Sequence, residues 1–450
     1  MTLMTSTLIQ NSTIINEGLS FIGDVLIKDE KIEEIGLPGQ VKAPSGTKSV
    51  DATGLLLIPG VIDDHVHFRE PGLIHKGDIF SETRAAAAGG VTSFMDMPNT
   101  VPQAVTLGTL EEKYRIASEK SLINYSFYLG ATGNNLDEIM KADPGEICGI
   151  KLFMGSSTGN MLVDNEKDIR ELFRRATMRV SVHCEDEATI RKNTEFYRRK
   201  YGESVPVNMH PLIRSRDACF KSSSYAISLA REYNTRLHLL HLSTADEMKL
   251  LSSVQLTGQK QITGEACVHH LWFDDSYYED LGSKIKCNPA IKTKFDRESL
   301  INGVNNDLLD VIATDHAPHT SEEKSESYFK APSGAPMVQH SLSVMLELWH
   351  RKIFSIEKIV EKMCHNPAIL FSISNRGFIR EEYKADLVLI DPDHPWTVSK
   401  NNILYKCGWS PLEDVSFKSK VVKTYVNGNL VYNYGEIDKD YRGERLRFDR

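Results

Sequence analysis

Apolar positions along this chain fall into two kinds of repeat, which divide it into three stretches. In the first 56 residues they alternate with polar ones in short runs (6–15, 21–28 and 31–36), punctuated by Gly18, Gly23 and Gly36 and followed by a Pro/Gly/Ser-containing connector over 38–46. Period-two alternation broken by glycine predicts a small antiparallel β unit. From Leu55 the pattern changes to continuous apolar, β-branched runs at 55–62, 91–97, 123–130, 147–154, 179–184, 236–242, 261–267 and 310–314. Between most of them lie stretches of helical period, among them 81–88, 110–118, 166–176, 218–233 and 297–304. Strand then helix, repeated about eight times, predicts an α/β fold with a parallel sheet closed as a (β/α)8 TIM-like barrel; a doubly wound open sheet is the alternative. No Gly-x-Gly-x-x-Gly follows any run, so a dinucleotide site has no support. After Asn366-Pro367-Ala368 the runs 385–390, 421–427 and 430–434 return to strand character, with Asn427-Gly428 as a hairpin-type turn. Tail and head look alike, and the two ends of a barrel lie close in space. Residues 1–56 and 376–450 are therefore expected to form one small β-sandwich unit beside a barrel spanning 57–375.

Composition narrows the function classes. At 450 residues and 41% hydrophobic, the chain can build a barrel-sized core and an accessory unit. A formal charge of −8 with no Lys/Arg-rich block argues against nucleic acid or an anionic membrane as partner. Residues 1–10 carry no basic stretch followed by an apolar core, and no run approaches the ~18 apolar residues of a membrane span, so a cytoplasmic protein is expected. The 7 cysteines are scattered and lack any Cys-x-x-Cys pair. That argues against a disulfide framework or a thiolate zinc site, and they read as small buried hydrophobes.

The candidate chemistry begins at Ile58-Pro59-Gly60-Val61-Ile62-Asp63-Asp64-His65-Val66-His67. Residues two apart on a strand share a face, so His65 and His67 can address one point. An isolated His-x-His is most often two solvated histidines, and the other strands must decide. Catalytic groups in such a barrel come from the C-terminal strand ends. The expected ends carry His65 and His67, then Asn99, Lys151, His183, His241, and Asp315 with His316 and His319. Singly, each reads as a core histidine, a cap or a salt-bridge partner. Together at one rim they read as a metal centre, and nitrogen plus carboxylate suits zinc first, then manganese, cobalt or iron. Lys151 stands in the apolar run Gly149-Ile150-Lys151-Leu152-Phe153-Met154, where an unpaired ammonium is costly to bury. Either it meets a carboxylate, or its amine takes up carbon dioxide as a carbamate that bridges two cations. Asp164 is a weaker substitute for that bridge.

His65-Val66-His67-Phe68-Arg69-Glu70-Pro71-Gly72, Asp96-Met97-Pro98-Asn99-Thr100, Lys151-Leu152-Phe153-Met154, Val182-His183-Cys184-Glu185-Asp186, His241-Leu242-Ser243-Thr244, Lys286-Cys287-Asn288-Pro289 and Ala313-Thr314-Asp315-His316-Ala317-Pro318-His319 resemble, in order, the motifs of the dihydroorotases of the cyclic amidohydrolase superfamily. The resemblance runs from about residue 55 to 367. It implies two zinc ions, one held by His65, His67 and Asp315 and the other by His183 and His241, bridged by carboxylated Lys151 and a hydroxide. It also implies reversible hydrolysis of the dihydroorotate ring amide to N-carbamoyl-L-aspartate, a step of pyrimidine biosynthesis, with Asp315 as base and then acid. The planar fork of Arg69 suits the ring carboxylate, assisted by Asn99 and His319, with Asn288 also at the substrate. The polar, Gly/Pro-rich stretch 319–339 is expected to be a mobile loop closing over substrate. A small-molecule substrate and a homodimer are the expected partners. Two other readings stay open at this point: a hydantoinase or allantoinase, whose substrates lack that carboxylate, and a non-catalytic barrel serving as an assembly subunit.

Overall fold

The computed structural model describes residues 6–155 and 161–450; residues 1–5, half of the stretch read for a leader, lie outside them. Alternation at the N-terminus produces β1 (Ser6–Asn16), β2 (Leu19–Lys28) and β3 (Lys31–Gly36), an antiparallel meander. The connector then carries the chain back to the far edge of β1. There β4 (Lys48–Asp51) and β5 (Leu56–Pro59) both run parallel to it. The unit is thus mixed rather than antiparallel throughout, because a long return connection reverses the direction of entry.

The barrel follows without a loop. Its strands are β6 (Val61–Val66), β7 (Val91–Asp96), β8 (Asn124–Gly130), β9 (Gly149–Phe153), β10 (Val180–His183), β11 (Leu237–Leu239), β12 (Ile262–Cys267) and β13 (Val311–Ala313). All pair in parallel and in sequence order. A bridge between Val66 and His316 closes the ring, and the His67 N–H donates to the His316 carbonyl at 2.7 Å. Helices Ile79–Ala88, Leu107–Lys120 and Lys294–Asn305 begin at the capping boxes of Asp78, Thr106 and Thr293. Glu166–Arg175 and Arg216–Tyr233 are capped by Asn165 and Ser215.

One predicted run is redrawn. Residues 55–62 are two strands in different sheets, divided at Gly60. Its N–H donates to the Asp386 carbonyl at 2.8 Å, and a Cβ there would stand 2.0 Å from the Thr92 hydroxyl. Periodicity does not reveal the break because both strands are largely buried.

The C-terminal part completes the first sheet. β14 (Leu387–Asp391) pairs antiparallel with β5, and strands Lys420–Val426 and Asn429–Asn433 follow outward, giving nine strands built from both chain ends. Asn427 and Gly428, with φ of +46° and +75°, make the turn between the last two. All seven cysteines are unpaired. Among the described residues no helix is long and apolar enough to cross a membrane.

Candidate active site

All the predicted rim residues but His316 and His319 converge on one cleft with about 480 Å³ of empty space, lined by His65, His67, Arg69, Asn99, Lys151 and Phe153 on one side of the ring, while His316 bonds Glu82 behind it. His183, His241, Asn288, Asp315, Ser333 and Gly334 complete it. His65 is positioned by β6, Lys151 by β9 and His183 by β10, while His67, His241 and Asp315 follow the ends of β6, β11 and β13. Arg69, His241 and Asp315 adopt positive φ of +69°, +38° and +46°. For non-glycine residues this is disfavoured backbone, held here by the surrounding contacts.

The donor inventory tests whether the residues suit a metal. His65 Nδ1 lies 2.9 Å from the Glu265 carboxylate and His67 Nδ1 lies 2.8 Å from the Asn99 side-chain oxygen, so each donates its N–H outward. That leaves two Nε2 lone pairs facing the same Asp315 oxygen, at 3.2 and 3.0 Å. Three lone-pair atoms turned on one point repel unless a cation sits among them. His183 Nδ1 and His241 Nε2 also lie 2.9 Å apart, with the His183 Nε2 proton directed at Glu185, so His183 Nδ1 is free to accept or to ligate. His65, His241 and Asp315 offer ligand atoms within 4.8 Å of one another. The donor set fits a metal centre of nitrogen and carboxylate ligands. Burial acts to raise the Asp315 carboxyl; in the metal-free protein, positive charge on the His65 and His67 rings acts the other way and holds the group well below the usual carboxylate range.

Lys151 is fully buried, its Nζ has no hydrogen-bond partner among the described residues, and the nitrogen stands 4.5 Å over the Phe153 ring. Burial pushes its ammonium down to about 8. Asp164, the alternative bridge, is solvent-exposed and does not line the cleft; the chain turns it outward after Val163. That alternative is therefore set aside.

Sequence reasoning missed the shell behind the ligands. Glu265 on β12 takes the His65 N–H and also the His241 backbone N–H at 2.8 Å. Glu185 bonds His183 Nε2 at 3.0 Å and is itself clamped by Arg214. Burial acts to raise the Glu185 carboxyl, yet Arg214 and His183 bring it to about 2. Such partners fix ring orientation and tautomer. The one signal available was a charged residue inside an apolar strand at Glu265.

Arg69 is 3% exposed, and among the described residues no carboxylate pairs with it. Its neighbour Glu70 takes Lys120 and the Ile79 N–H. Arg69 Nε donates to the Pro318 carbonyl at 3.1 Å, and burial pushes the guanidinium down to about 10. Asn288 Oδ1 is buried without a partner among the described residues. His319 does not line the cleft: it lies behind Arg69, with Nε2 at 3.1 Å from both the Arg69 guanidinium and the Ser333 carbonyl and Nδ1 at 3.0 Å from Lys76. Lys76 can only donate, so Nδ1 accepts and Nε2 carries the proton toward Ser333. The loop after β13 is pinned over the cleft rather than open. Lys324 Nζ donates to the Lys286, Pro332 and Gly334 carbonyls at 3.1, 2.9 and 2.8 Å.

Comparison with known proteins agrees with this arrangement. Residues 56–431 match the amidohydrolase family model. A dihydroorotase of Halobacterium salinarum is 33% identical over 439 residues, covering 95% of this chain and 99% of its own. A dihydroorotase of Pyrococcus furiosus is 32% identical over 424 residues, covering 94% and 92%. Among solved structures, an L-hydantoinase (dihydropyrimidinase) from Arthrobacter aurescens superposes with a TM-score of 0.91 at 25% identity, covering 98% and 99%. By fold, cleft and sequence, this chain belongs to the amidohydrolase family, on its dihydroorotase branch.

Proposed function

We propose that the chain catalyses reversible hydrolysis of the ring amide of (S)-dihydroorotate to N-carbamoyl-L-aspartate. The observation that carries this reading is Arg69, a buried guanidinium beside the metal-type donor set with no acid partner among the described residues. A buried cation without a counter-charge is costly, and the ring carboxylate of dihydroorotate supplies one in bidentate geometry. Asn99 stands beside it, and Asn288 Oδ1 is an acceptor for a ring N–H. His319 packs behind Arg69 and donates to the Ser333 carbonyl, bracing the loop beside the guanidinium.

His65, His67 and Asp315 would hold one zinc ion and His183 and His241 a second, with carboxylated Lys151 between them. When bound, the ions supply Lewis acidity, polarising the amide carbonyl and lowering the pKa of water. Lys151 is suited to its role because its desolvated amine is neutral in part at physiological pH; addition to carbon dioxide gives the carbamate and releases one proton. Asp315, ionised in the folded chain, takes the proton of the attacking water and delivers it to the leaving ring nitrogen. In the synthetic direction it takes the proton from the carbamoyl nitrogen as the ring closes. Seven unpaired thiols support a cytoplasmic, reducing location.

The structural match to an L-hydantoinase makes the ring without a carboxylate the competing substrate. Turnover of dihydroorotate and of unsubstituted dihydrouracil, measured side by side on zinc-loaded and chelator-stripped protein, separates the two. Dihydroorotate is expected to be strongly preferred, and activity lost on stripping. Arg69→Met should lower kcat/KM for dihydroorotate by about 10²- to 10³-fold, the loss of a buried charge pair of roughly 3–4 kcal/mol, without lowering any dihydrouracil turnover. Preference for dihydrouracil in the wild type overturns the substrate assignment.

A further inference from the structure

The turn after β12 carries metal-type side chains that the reaction does not use. Cys267 ends the strand, and His269 and His270 lie in the helical turn Val268–Trp272 that follows. Each presents one ligand atom, and these lie within 4.8 Å of one another. The residues are 0%, 4% and 3% exposed, and none lines the catalytic cleft. Among the described residues His270 has no partner at Nδ1, while its Nε2 meets the Pro289 carbonyl at 3.1 Å, and the buried His269 ring has the Thr314 backbone beside it. The two rings lie 4.3 Å apart, tilted by 47°. An imidazole nitrogen left unpaired in a dry interior is unfavourable, and that of His270 stands here beside a second imidazole and a thiol. The Cys267 Sγ is 3.3 Å from a Glu265 oxygen, so a carboxylate stands ready to offset positive charge.

We propose that Cys267, His269 and His270 hold a third divalent ion, separate from the catalytic pair, as three of the four ligands zinc commonly takes. Sulfur plus imidazole selects zinc over the harder cations. On binding, the Cys267 thiol loses its proton to solvent, a sulfur–zinc bond forms, and each imidazole donates one lone pair in its neutral form. The ion fixes the turn that follows the Glu265 strand and does not touch substrate. This site also departs from the sequence reading, in which the scattered cysteines spoke against thiolate ligation: its ligands are one cysteine and two histidines on a single turn, not paired cysteines.

The test is metal content and spectrum rather than turnover. Purified, zinc-reconstituted protein should hold about three zinc ions per chain, and Cys267→Ser and His270→Ala about two each. Cobalt-loaded wild type should show a near-ultraviolet sulfur-to-cobalt charge-transfer band, since among the described residues Cys267 is the only thiol in any ligand group. The band should vanish in both variants. No band in the wild type, or equal zinc in wild type and variants, overturns the proposal, and the wild-type spectrum decides even where a variant does not fold. A band that survives in His270→Ala also overturns it, assigning the sulfur to His65 and Glu265 instead. None of these readouts depends on which amide the enzyme cuts.

Discussion

Two buried polar clusters occupy opposite ends of the same barrel. At the N-terminal end, Asp386 accepts from the Asn427 N–H at 2.8 Å and the Asn124 amide at 3.2 Å and pairs with Arg376. Arg376 also donates to Asn427 Oδ1 at 2.6 Å and Glu444 at 2.9 Å, and the Asn427 amide returns to Asn124 at 2.9 Å. No side-chain atom of these five residues is buried without a partner. At the C-terminal end, among the described residues, Lys151 Nζ, His241 Nδ1 and Asn288 Oδ1 are all buried and unpaired, and Arg69 has no acid. A closed network joins the small sheet, the tail and the barrel, and its work is done once the chain has folded. An open one is completed only by what binds.

Substitutions at the two ends should therefore fail in different ways. The largest effect is expected at Asp315: Asp315→Asn should lower kcat by about 10²- to 10⁴-fold while keeping much of the metal and a near-normal Tm, and near-normal turnover would remove Asp315 from proton transfer. Asp386→Ala should do the opposite. It leaves Arg376 short of its buried partner and should cost about 3 kcal/mol in denaturant unfolding, with unchanged activity per folded molecule. A loss under about 1 kcal/mol would make the closed network dispensable.

Lys151 sharpens the contrast through pH. Its ammonium titrates at about 8 in the folded chain against 10.5 unfolded, so between those values the folded state binds fewer protons. Stability of the metal-free protein should thus rise as pH climbs through that window, by up to about 3 kcal/mol from this group. Lys151→Met should remove the rise, and parallel pH dependences of urea unfolding for the two metal-free proteins would contradict a desolvated amine. The smallest effect belongs to Glu265→Gln, which loosens the tautomer of His65. Metal affinity, read by chelator competition, should fall by about 10- to 100-fold; an unchanged value would make Glu265 a packing residue.

Local pattern was enough to find all eight barrel strands and the five helices named beforehand, because strand and helix periods are written in consecutive residues. The histidines and Asp315 were legible for the same reason: each sits at or just past the end of a recognisable strand. Tertiary structure alone decided the rest. Gly60 divides one apolar run between two sheets because Thr92 and Asp386 close on it. His319 retreats behind Arg69, and Asp164 turns to solvent, according to contacts that no spacing records. Glu265 reaches His65 across 200 residues of sequence, and Arg214 reaches Glu185 across 29. Which residues the chain could use as ligands was thus set by its sequence, whereas their tautomers, charges and partners were set by folding, since those depend on groups brought together only when the barrel closes.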